Sequence, residues 1–217
     1  MSWIDFSHII SQSMPTFPGT PAPELTTVAT VPANYYRETK LQLYSHMGTH
    51  IDAPAHIIED GRTLDQFPAE HFVGSAVVIP CTPKHMTDEA YPIIDISALE
   101  PYMEAAEAAD FLIFSTGWES KWNDASAYIK DYPILAPDIA FFAATRHKKG
   151  IGVDTLSPDR PDKLHFHRVF LSSEEGVIIE NLCNLNSVPA GELFPLCALP
   201  LLFENADGAP ARVMGEV

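Results

Sequence analysis

Apolar residues along this chain form short runs separated by turn signals, a pattern that predicts strands more often than long helices. Segment 17–24 contains three prolines and is predicted to be an ordered surface loop. A turn is predicted at 207–208, where Asp is followed by Gly. The predicted strands lie at 4–10, 41–44, 73–79, 111–114, 151–153, 177–179 and 199–203.

Helical spacing of apolar residues is confined to the later part of the chain. The positions Leu99, Tyr102, Met103 and Ala106 predict one helix, with Ser97 and Glu100 forming a capping box. A second helix is predicted from Pro137 to Arg146, where the cationic run 146–149 suits the negative end of the helix dipole. A third is predicted at 165–172. The N-terminal half is thus predicted to be rich in strands, and the C-terminal half to alternate helices and strands. This order indicates an α/β fold.

Neither a repeat nor a flexible linker divides the sequence, so residues 1–217 are predicted to form a single domain. Thirteen basic and 29 acidic residues give a net charge of −16, which argues against nucleic acid as a partner because phosphate contacts require Lys and Arg. No apolar run reaches the roughly 18 residues of a membrane span, and the start of the chain lacks the pattern of a signal peptide. Three cysteines without a C-x-x-C pair fit a reducing compartment. We therefore expect a cytoplasmic protein without membrane contact.

Histidine is clustered: three of the nine, His46, His50 and His56, fall within eleven residues, and Asp52 lies among them. Imidazole and carboxylate groups without thiolates are ligands typical of catalytic zinc or manganese sites. In a straight strand His46 and His50 would be roughly 13 Å apart, so the backbone must bend, and Gly48 permits the bend. His50 and Asp52 point to the same side of an extended segment.

Further ligands must come from elsewhere in the fold. Pro54 interrupts the extended path, so we expect His56 to be aimed separately from His50 and Asp52. Glu180 directly follows an apolar strand and is either exposed to solvent or a ligand. Among the remaining histidines, His147 is interpreted as part of a solvated helix end, and His71 and His85 as surface residues. His8, His165 and His167 are candidate ligands.

The cluster reads His46-x-Gly48-Thr49-His50-x-Asp52-x-Pro54-x-His56. It resembles the motif of the cyclase-family metal-dependent hydrolases, which include bacterial kynurenine formamidases (arylformamidases) and isatin hydrolases. The resemblance implies a fold of the swivelling β/β/α type and assembly as homodimers or homotetramers, with a neighbour's N-terminal region near the active site. Further blocks that resemble family segments lie in order along the chain at 4–8, 17–19, 115–118, 151–157 and 207–212.

The resemblance also implies a shared site for two zinc ions, although histidine and carboxylate ligands accept manganese too. By this carry-over His46, His50 and Asp52 bind the first ion, and Asp52 also reaches the second. His56 is the proton donor and acceptor.

For the second ion the resemblance implies His167, which opens the third predicted helix, and Glu180, which touches both ions. Thirteen positions separate His167 from Glu180, one more than in the family pattern, so His165 is kept as a reserve ligand.

The resemblance places Phe17 in the substrate pocket. Formamidases with tryptophan-derived substrates carry Trp at this position and Asp at the position of Thr20. Phe17 keeps an aromatic ring in the pocket and is compatible with an aryl substrate. Trp118 has two interpretations, a core residue after a strand or a substrate contact, and Asp154 has two as well, a turn cap or a residue that supports the ligands.

These features predict a metal-dependent hydrolase that cleaves a small amide, with an aryl formamide such as N-formylkynurenine as the reference substrate. Activated hydroxide attacks the carbonyl, and His56 protonates the leaving nitrogen. The alternatives are a family hydrolase acting on an isatin-like lactam, a lactone or another amide, and a metal-dependent binding protein without turnover. Serine or cysteine catalysis is disfavoured because the sequence has no G-x-S-x-G elbow.

Overall fold

A closed ring of β-strands forms the centre of the molecule. The structure is a computed structural model, and it describes residues 2–83 and 91–217. The strands among these residues are β1 (Trp3–Asp5), β2 (Glu24–Ala29), β3 (Glu38–Gln42), β4 (His50–Asp52), β5 (Val73–Pro80), β6 (Ile93–Ile94), β7 (Phe111–Ser115), β8 (Ile134–Leu135), β9 (Gly150–Val153), β10 (Val177–Glu180), β11 (Leu193–Pro200) and β12 (Gly208–Glu216).

The ring runs in the order β12, β11, β5, β7, β9, β10 and β4, and closes because β4 also pairs with β12. Strands β5, β7, β9 and β10 are mutually parallel, whereas the pairings that involve β4, β11 and β12 are antiparallel. Strand β1 extends the sheet beside β12. A mixed barrel with helices packed on its outer face confirms the predicted α/β class.

Helices cover one side of the parallel strands. The α-helices among the described residues are α1 (Val31–Asn34), α2 (Met103–Ala108), α3 (Ala125–Tyr128), α4 (Pro137–Thr145) and α5 (His165–Leu171). Successive side chains of β7 alternate between the two sides of the sheet. Phe111 and Ile113 pack inside the barrel, whereas Leu112 and Phe114 pack among residues of α2, α4 and α5.

Strands β2 and β3 form a separate antiparallel hairpin that is exposed along most of its length. Large apolar side chains lie open on this arm, among them Val28, Val31, Tyr36 and Leu41 at 52–59% exposure and Tyr35 at 94%. The predicted strand at 41–44 therefore belongs to the end of an outlying arm and not to the central sheet.

The central strands and two helices lie where the sequence predicts them. Strands β5, β7, β9 and β10 match the predictions at 73–79, 111–114, 151–153 and 177–179. Helices α4 and α5 match the predictions from Pro137 to Arg146 and at 165–172. Segment 17–24 forms a loop up to the first residue of β2, as its prolines predict.

The predicted helix around Leu99 is wrong in its first half, where the chain forms a 3₁₀ helix (Ile96–Tyr102) before α2 begins. Pro101 lacks an amide hydrogen and cannot supply the α-helical hydrogen bond. The cap is Asp95, whose carboxylate accepts the backbone N–H of Ser97, so the predicted capping box is wrong as well.

Three other predictions fail at the ends of strands. The strand predicted at 199–203 is wrong after Pro200, where β11 ends. Leu201, Leu202 and Phe203 are exposed in the connection to β12. Position 207 is not part of a tight turn, because the turn lies at 204–205 and Gly208 already begins β12. The prediction at 4–10 is too long, since β1 ends at Asp5.

The remaining predictions concern the cysteines, membrane spans and His85. The three cysteines are free thiols. Across the described ranges, 2–83 and 91–217, we find no helix with the length and apolar character that a bilayer span requires. The predicted surface position of His85 lies outside the described residues.

Candidate metal centre and catalytic site

Strands β4 and β10 bring the first ligands together. Their antiparallel register places Glu180 opposite His50 and Ile178 opposite Asp52. Ile51, between His50 and Asp52, packs inside the barrel, so its two neighbours point to the outer side, as the alternation of a strand requires. Nε2 of His50 lies 3.2 Å from Oδ1 of Asp52 and 3.3 Å from Oε2 of Glu180.

The predicted bend before β4 is present. Gly48 has a φ of +66°, a conformation that glycine adopts without steric cost. The bend brings the rings of His46 and His50 to 5.3 Å between centroids, far less than a straight strand would allow. Its geometry is held by Asn181, whose side-chain amide donates to the Gly48 carbonyl at 2.9 Å. Nδ1 of His50 donates to the same carbonyl at 2.9 Å, which leaves Nε2 facing the carboxylates.

His46 lies between two carboxylates. Its Nδ1 is 2.6 Å from Oδ1 of Asp52, and its Nε2 is 2.9 Å from Oδ2 of Asp207. Gly208 allows the ring to come this close, because a Cβ at that position would lie 2.4 Å from Cε1 of His46. Asp207 is thus a neighbour of the site, where the sequence suggested only a turn.

His167 enters the site from α5. Its Nε2 is 3.3 Å from Oδ2 of Asp52 and 3.5 Å from Oε1 of Glu180. Asp159, which lies between β9 and α5, accepts from Nδ1 of His167 at 2.8 Å. The structure therefore brings His167 together with Asp52 and Glu180, whereas the reserve ligand His165 is exposed and lines a different, smaller cavity.

His56 returns to the same cavity although Pro54 redirects the chain into a short 3₁₀ helix (Pro54–His56). Its ring centroid lies 3.9 Å from that of His46 and 5.9 Å from that of His167. The expectation that His56 is aimed separately is therefore wrong. The geometry permits both a ligand role and a proton-transfer role for its imidazole.

The charges of the site are strongly coupled. Burial acts to lower the pKa of His46 and His50, but the charge of Asp52 prevails and raises these pKa values to about 9 and about 10. Burial acts to raise the pKa of Asp52, but the two imidazolium charges hold it well below its usual range. Protons on the histidines thus neutralise carboxylates that a divalent cation could neutralise instead.

His56 and His167 differ in charge. Burial lowers the pKa of His56, so its imidazole is neutral near pH 7. The pKa of His167 is also opposed by burial, but hydrogen bonds to Asp159 and Asp52 raise it well above its usual range. A neutral imidazole beside an ionised cluster is suited to accept a proton.

The donor set fits a divalent metal. Among the described residues, two groups offer ligand atoms within 4.8 Å of one another: His46, Asp52 and His56 form one, and His50, Asp52 and Glu180 form the other. Nε2 of His50 is buried, and no partner in the described ranges offers it a hydrogen bond of acceptable geometry. A buried ring nitrogen that faces two carboxylates without a hydrogen bond is suited to a cation.

A cavity of about 370 Å³ opens onto these ligands. Loop 15–20 forms one wall, and Phe17, 38% exposed, is part of it. Tyr44 and the loop after β9 contribute further walls.

Three other described histidines, His8, His71 and His147, lie outside this cavity. His8 stacks on Trp122 with 3.8 Å between ring centroids, and its backbone N–H donates to Thr49 at 2.9 Å. His71 packs beside Phe67. His147 lies exposed at the end of α4, as predicted.

Trp118 and Asp154 have structural positions. Trp118 packs with Tyr128 and neighbouring aromatic residues and does not line the cavity. The buried carboxylate of Asp154 accepts from the backbone N–H groups of Thr116 and Trp118, which is the turn-capping interpretation.

Asp159 and Asn181 were missed by the sequence analysis. Asp159 lies eight positions before His167, and no short motif links the two. Asn181 directly follows Glu180, and its φ of +59° is a conformation that Asn tolerates better than most residues. The sequence did offer one signal for Asn181, namely a polar residue directly after a candidate ligand at the end of a strand.

Known proteins resemble the whole chain. Residues 4–160 match the family model described as "Putative cyclase". A kynurenine formamidase from Bacillus mycoides (strain KBAB4) is 31% identical, over 98% of this chain and 96% of that protein. Another, from Geobacillus thermodenitrificans (strain NG80-2), is 27% identical over 97% and 95% of the two chains.

Solved structures share the fold. Isatin hydrolase A from Labrenzia aggregata, bound to benzyl benzoate, has a TM-score of 0.83 at 22% identity, covering 99% of this chain and 93% of that one. A predicted metal-dependent hydrolase from Bacillus stearothermophilus has a TM-score of 0.75 at 27% identity, covering 99% and 97%. Together with the motif from His46 to His56, these matches establish that the chain belongs to the cyclase family.

Proposed function

We propose that this protein is a metal-dependent hydrolase that cleaves the C–N bond of a small amide, with aryl formamides such as N-formylkynurenine as the reference substrates. One observation carries the proposal: three imidazoles, Asp52 and Glu180 converge on one cavity, and a fourth imidazole, that of His56, is neutral beside them. The kynurenine formamidases that resemble the chain over nearly its full length support the reaction class.

We assign the ligands in two groups. His46, His50 and Asp52 would hold one ion, and Asp52, His167 and Glu180 would hold a second. Glu180, 3.3 Å from Nε2 of His50, would also touch the first ion, with zinc proposed at both positions and manganese as the alternative. Bound ions of this type lower the pKa of water and polarise a carbonyl oxygen. The carboxylate of Asp52 lies between the two groups, at 3.2 Å from His50 and 3.3 Å from His167, and is placed to serve both.

His56 is proposed to move the proton. As a neutral imidazole it accepts a proton during attack on the carbonyl and returns it to the departing nitrogen. Its position, 3.9 Å from the ring of His46, places it beside the ligands and within the substrate cavity.

Phe17 is proposed to contact the aryl group of the substrate. The cavity, about 370 Å³, lies within the range of roughly 300–1,000 Å³ that is common for small-molecule sites. Phe17 and His56 line the same cavity, so a substrate ring packed on Phe17 and an amide at the ligands would share one space.

The test is to load the protein separately with zinc and manganese and to assay N-formylkynurenine, simple aryl formamides and isatin in parallel. We expect formamide hydrolysis that disappears on chelation and returns with metal. If isatin alone is hydrolysed, the substrate is a lactam and not an aryl formamide. Tightly bound metal without turnover of any amide or ester would favour a binding protein.

We also propose a homodimer or homotetramer in the cytoplasm. The arm formed by β2 and β3 exposes Tyr35, Tyr36 and Val31, and large exposed apolar surfaces of this kind mark interfaces. Changing Tyr35 and Tyr36 together to Ser should lower the molecular mass measured by light scattering, whereas Phe141→Ser on α4, 65% exposed, should leave it unchanged. The three free thiols suit a reducing compartment.

A further inference from the structure

The wall of the cavity beyond the ligands is apolar. Within the part of the chain that the structure describes, no Lys or Arg side chain lines this cavity. Such a wall stabilises apolar rings but offers no counter-ion for a negatively charged substituent. Its apolar and aromatic members are Pro15, Phe17, Tyr44, Leu156, Pro161 and Leu164.

Polar groups of the wall are largely engaged within the protein. The hydroxyl of Thr16 donates to the carbonyl of Thr20 at 3.1 Å. The hydroxyl of Ser45 donates to Asp207 at 3.3 Å. The amide group of Asn181 donates to Gly48 and accepts from Tyr128, both at 2.9 Å.

The imidazoles at the floor of the cavity are engaged within the protein as well. His46 contacts carboxylates through both ring nitrogens, at 2.6 Å and 2.9 Å. His167 does the same, at 2.8 Å and 3.3 Å. These floor residues are assigned to the metal ions and the amide, so a carboxylate directed at the apolar wall would be desolvated without a partner there.

We propose that the site selects uncharged aryl amides and discriminates against substrates that carry an amino-acid side arm. This inference rests on the proposed hydrolase function and narrows its substrate class. The aryl ring packs against Phe17 and the neighbouring apolar wall, and the amide lies at the ligands. Any substituent directed at the wall is uncharged.

A matched pair of substrates tests the preference. N-formylkynurenine and 2′-formamidoacetophenone share the aryl formamide and the ortho carbonyl, but only the former has a carboxylate and an ammonium group. We expect kcat/KM to favour the uncharged compound by about 10-fold or more, as for one poorly paired charge. Equal values, or a preference for N-formylkynurenine, would overturn the inference while leaving the hydrolase function intact.

A binding measurement separates the inference from the proposed function. If the metal-loaded protein hydrolyses neither compound, the hydrolase proposal fails, and the preference is decided by calorimetry with the two amines, 2-aminoacetophenone and kynurenine. Tighter binding of 2-aminoacetophenone supports the uncharged class. Equal or tighter binding of kynurenine contradicts it.

A substitution at the wall provides a second test. Thr20 lines the cavity, and the hydrogen bonds described for it, with Phe17 and Thr16, are made by its backbone. Thr20→Lys should shift the kcat/KM ratio toward N-formylkynurenine by about 10-fold, because it supplies the absent counter-ion. Thr20→Gln is the uncharged control of similar length and should keep the wild-type ratio. An unchanged ratio in a folded Thr20→Lys protein would count against the inference.

Discussion

Asp159 holds His167 in position through three hydrogen bonds at the start of α5. Its Oδ2 accepts from both the backbone N–H of His167, at 2.9 Å, and the Nδ1 of that residue, at 2.8 Å. Its Oδ1 accepts from the backbone N–H of Phe166 at 3.0 Å. Because an ionised carboxylate only accepts, Nδ1 of His167 carries a hydrogen and Nε2 faces Asp52 and Glu180.

We expect Asp159→Asn to lower metal affinity by about 10- to 100-fold, the usual effect of removing a carboxylate that orients a histidine ligand. The side-chain NH₂ of Asn is a donor and cannot accept from both the backbone N–H and the Nδ1 of His167, as the carboxylate does. A competition titration with a chelator measures the affinity. Asp162→Asn is the control, since Asp162 is exposed and contacts Arg160 rather than a candidate ligand. Equal affinity in both variants would show that His167 does not depend on Asp159.

Substitutions at His50 and His56 should separate ligand from proton carrier. His50→Ala should lose bound metal, because its buried Nε2 faces Asp52 and Glu180. His56→Ala should keep near wild-type metal content while turnover falls by about 10² to 10⁴, the range for general acid–base catalysis. Elemental analysis and a kcat measurement on each variant provide the check, with the exposed His147→Ala as the control. Loss of metal from His56→Ala would make His56 a ligand.

Acid stability should depend on His8. Burial lowers its pKa to about 4, from an ordinary value of 6.5. Between pH 6.5 and about pH 4, His8 is therefore protonated in the unfolded chain but neutral in the folded chain. Because the unfolded state binds more protons, the free energy of unfolding falls as the pH is lowered through this range. His8→Phe keeps an aromatic ring against Trp122 and removes the titration.

The free energy of unfolding of wild type relative to His8→Phe should accordingly decrease between about pH 6.5 and pH 4 in urea titrations. His147→Phe is the control, because His147 is exposed. A constant difference across the window would contradict the buried, neutral state of His8.

Lys148 should be a stabilising residue although it does not line the cavity. It is 5% exposed, and its ammonium group donates to the carbonyls of Glu107 at 2.7 Å and Ala109 at 2.6 Å. Lys148→Met leaves these acceptors without their donor and should cost about 1–3 kcal/mol of unfolding free energy.

The comparison for this measurement is Lys149→Met. Lys149 also donates to two carbonyls, those of Glu70 and Val73, but its side chain is 31% exposed, so water can reach these acceptors more easily than those of Lys148. A smaller loss for Lys149→Met than for Lys148→Met is expected in urea titrations. Equal losses would indicate that burial of the Lys148 ammonium has no special effect.

Local sequence predicted those parts of the molecule that depend on local physics. Successive side chains of β5, β7, β9 and β10 point alternately into two apolar cores. Because both sides of these strands are buried, nearly every residue is hydrophobic, and the strands are visible in the sequence as continuous apolar runs. The bend at Gly48 followed from a distance argument alone. Pro101 was a readable signal as well, and it accounts for the helix prediction that failed.

Parts of the site that depend on long-range pairing could not be read from the sequence. The register that sets Glu180 opposite His50 depends on two strands separated by most of the chain. Asp207 contacts His46 only because β12 closes the barrel against β4. Asp159 reaches His167 through the path of a loop, and its local sequence resembles an ordinary turn.

Closure of the barrel by β4 has a consequence for how the protein matures on the ribosome. The strand that carries His50 and Asp52 pairs on one edge with β10 and on the other with β12. During synthesis the segment from His46 to His56 emerges long before either partner strand, so a nascent chain exposes imidazoles without the carboxylates of Glu180 and Asp207. The histidines of this segment therefore meet those carboxylates only once β10 and β12 have paired with β4, so metal binding and closure of the barrel stabilise one another.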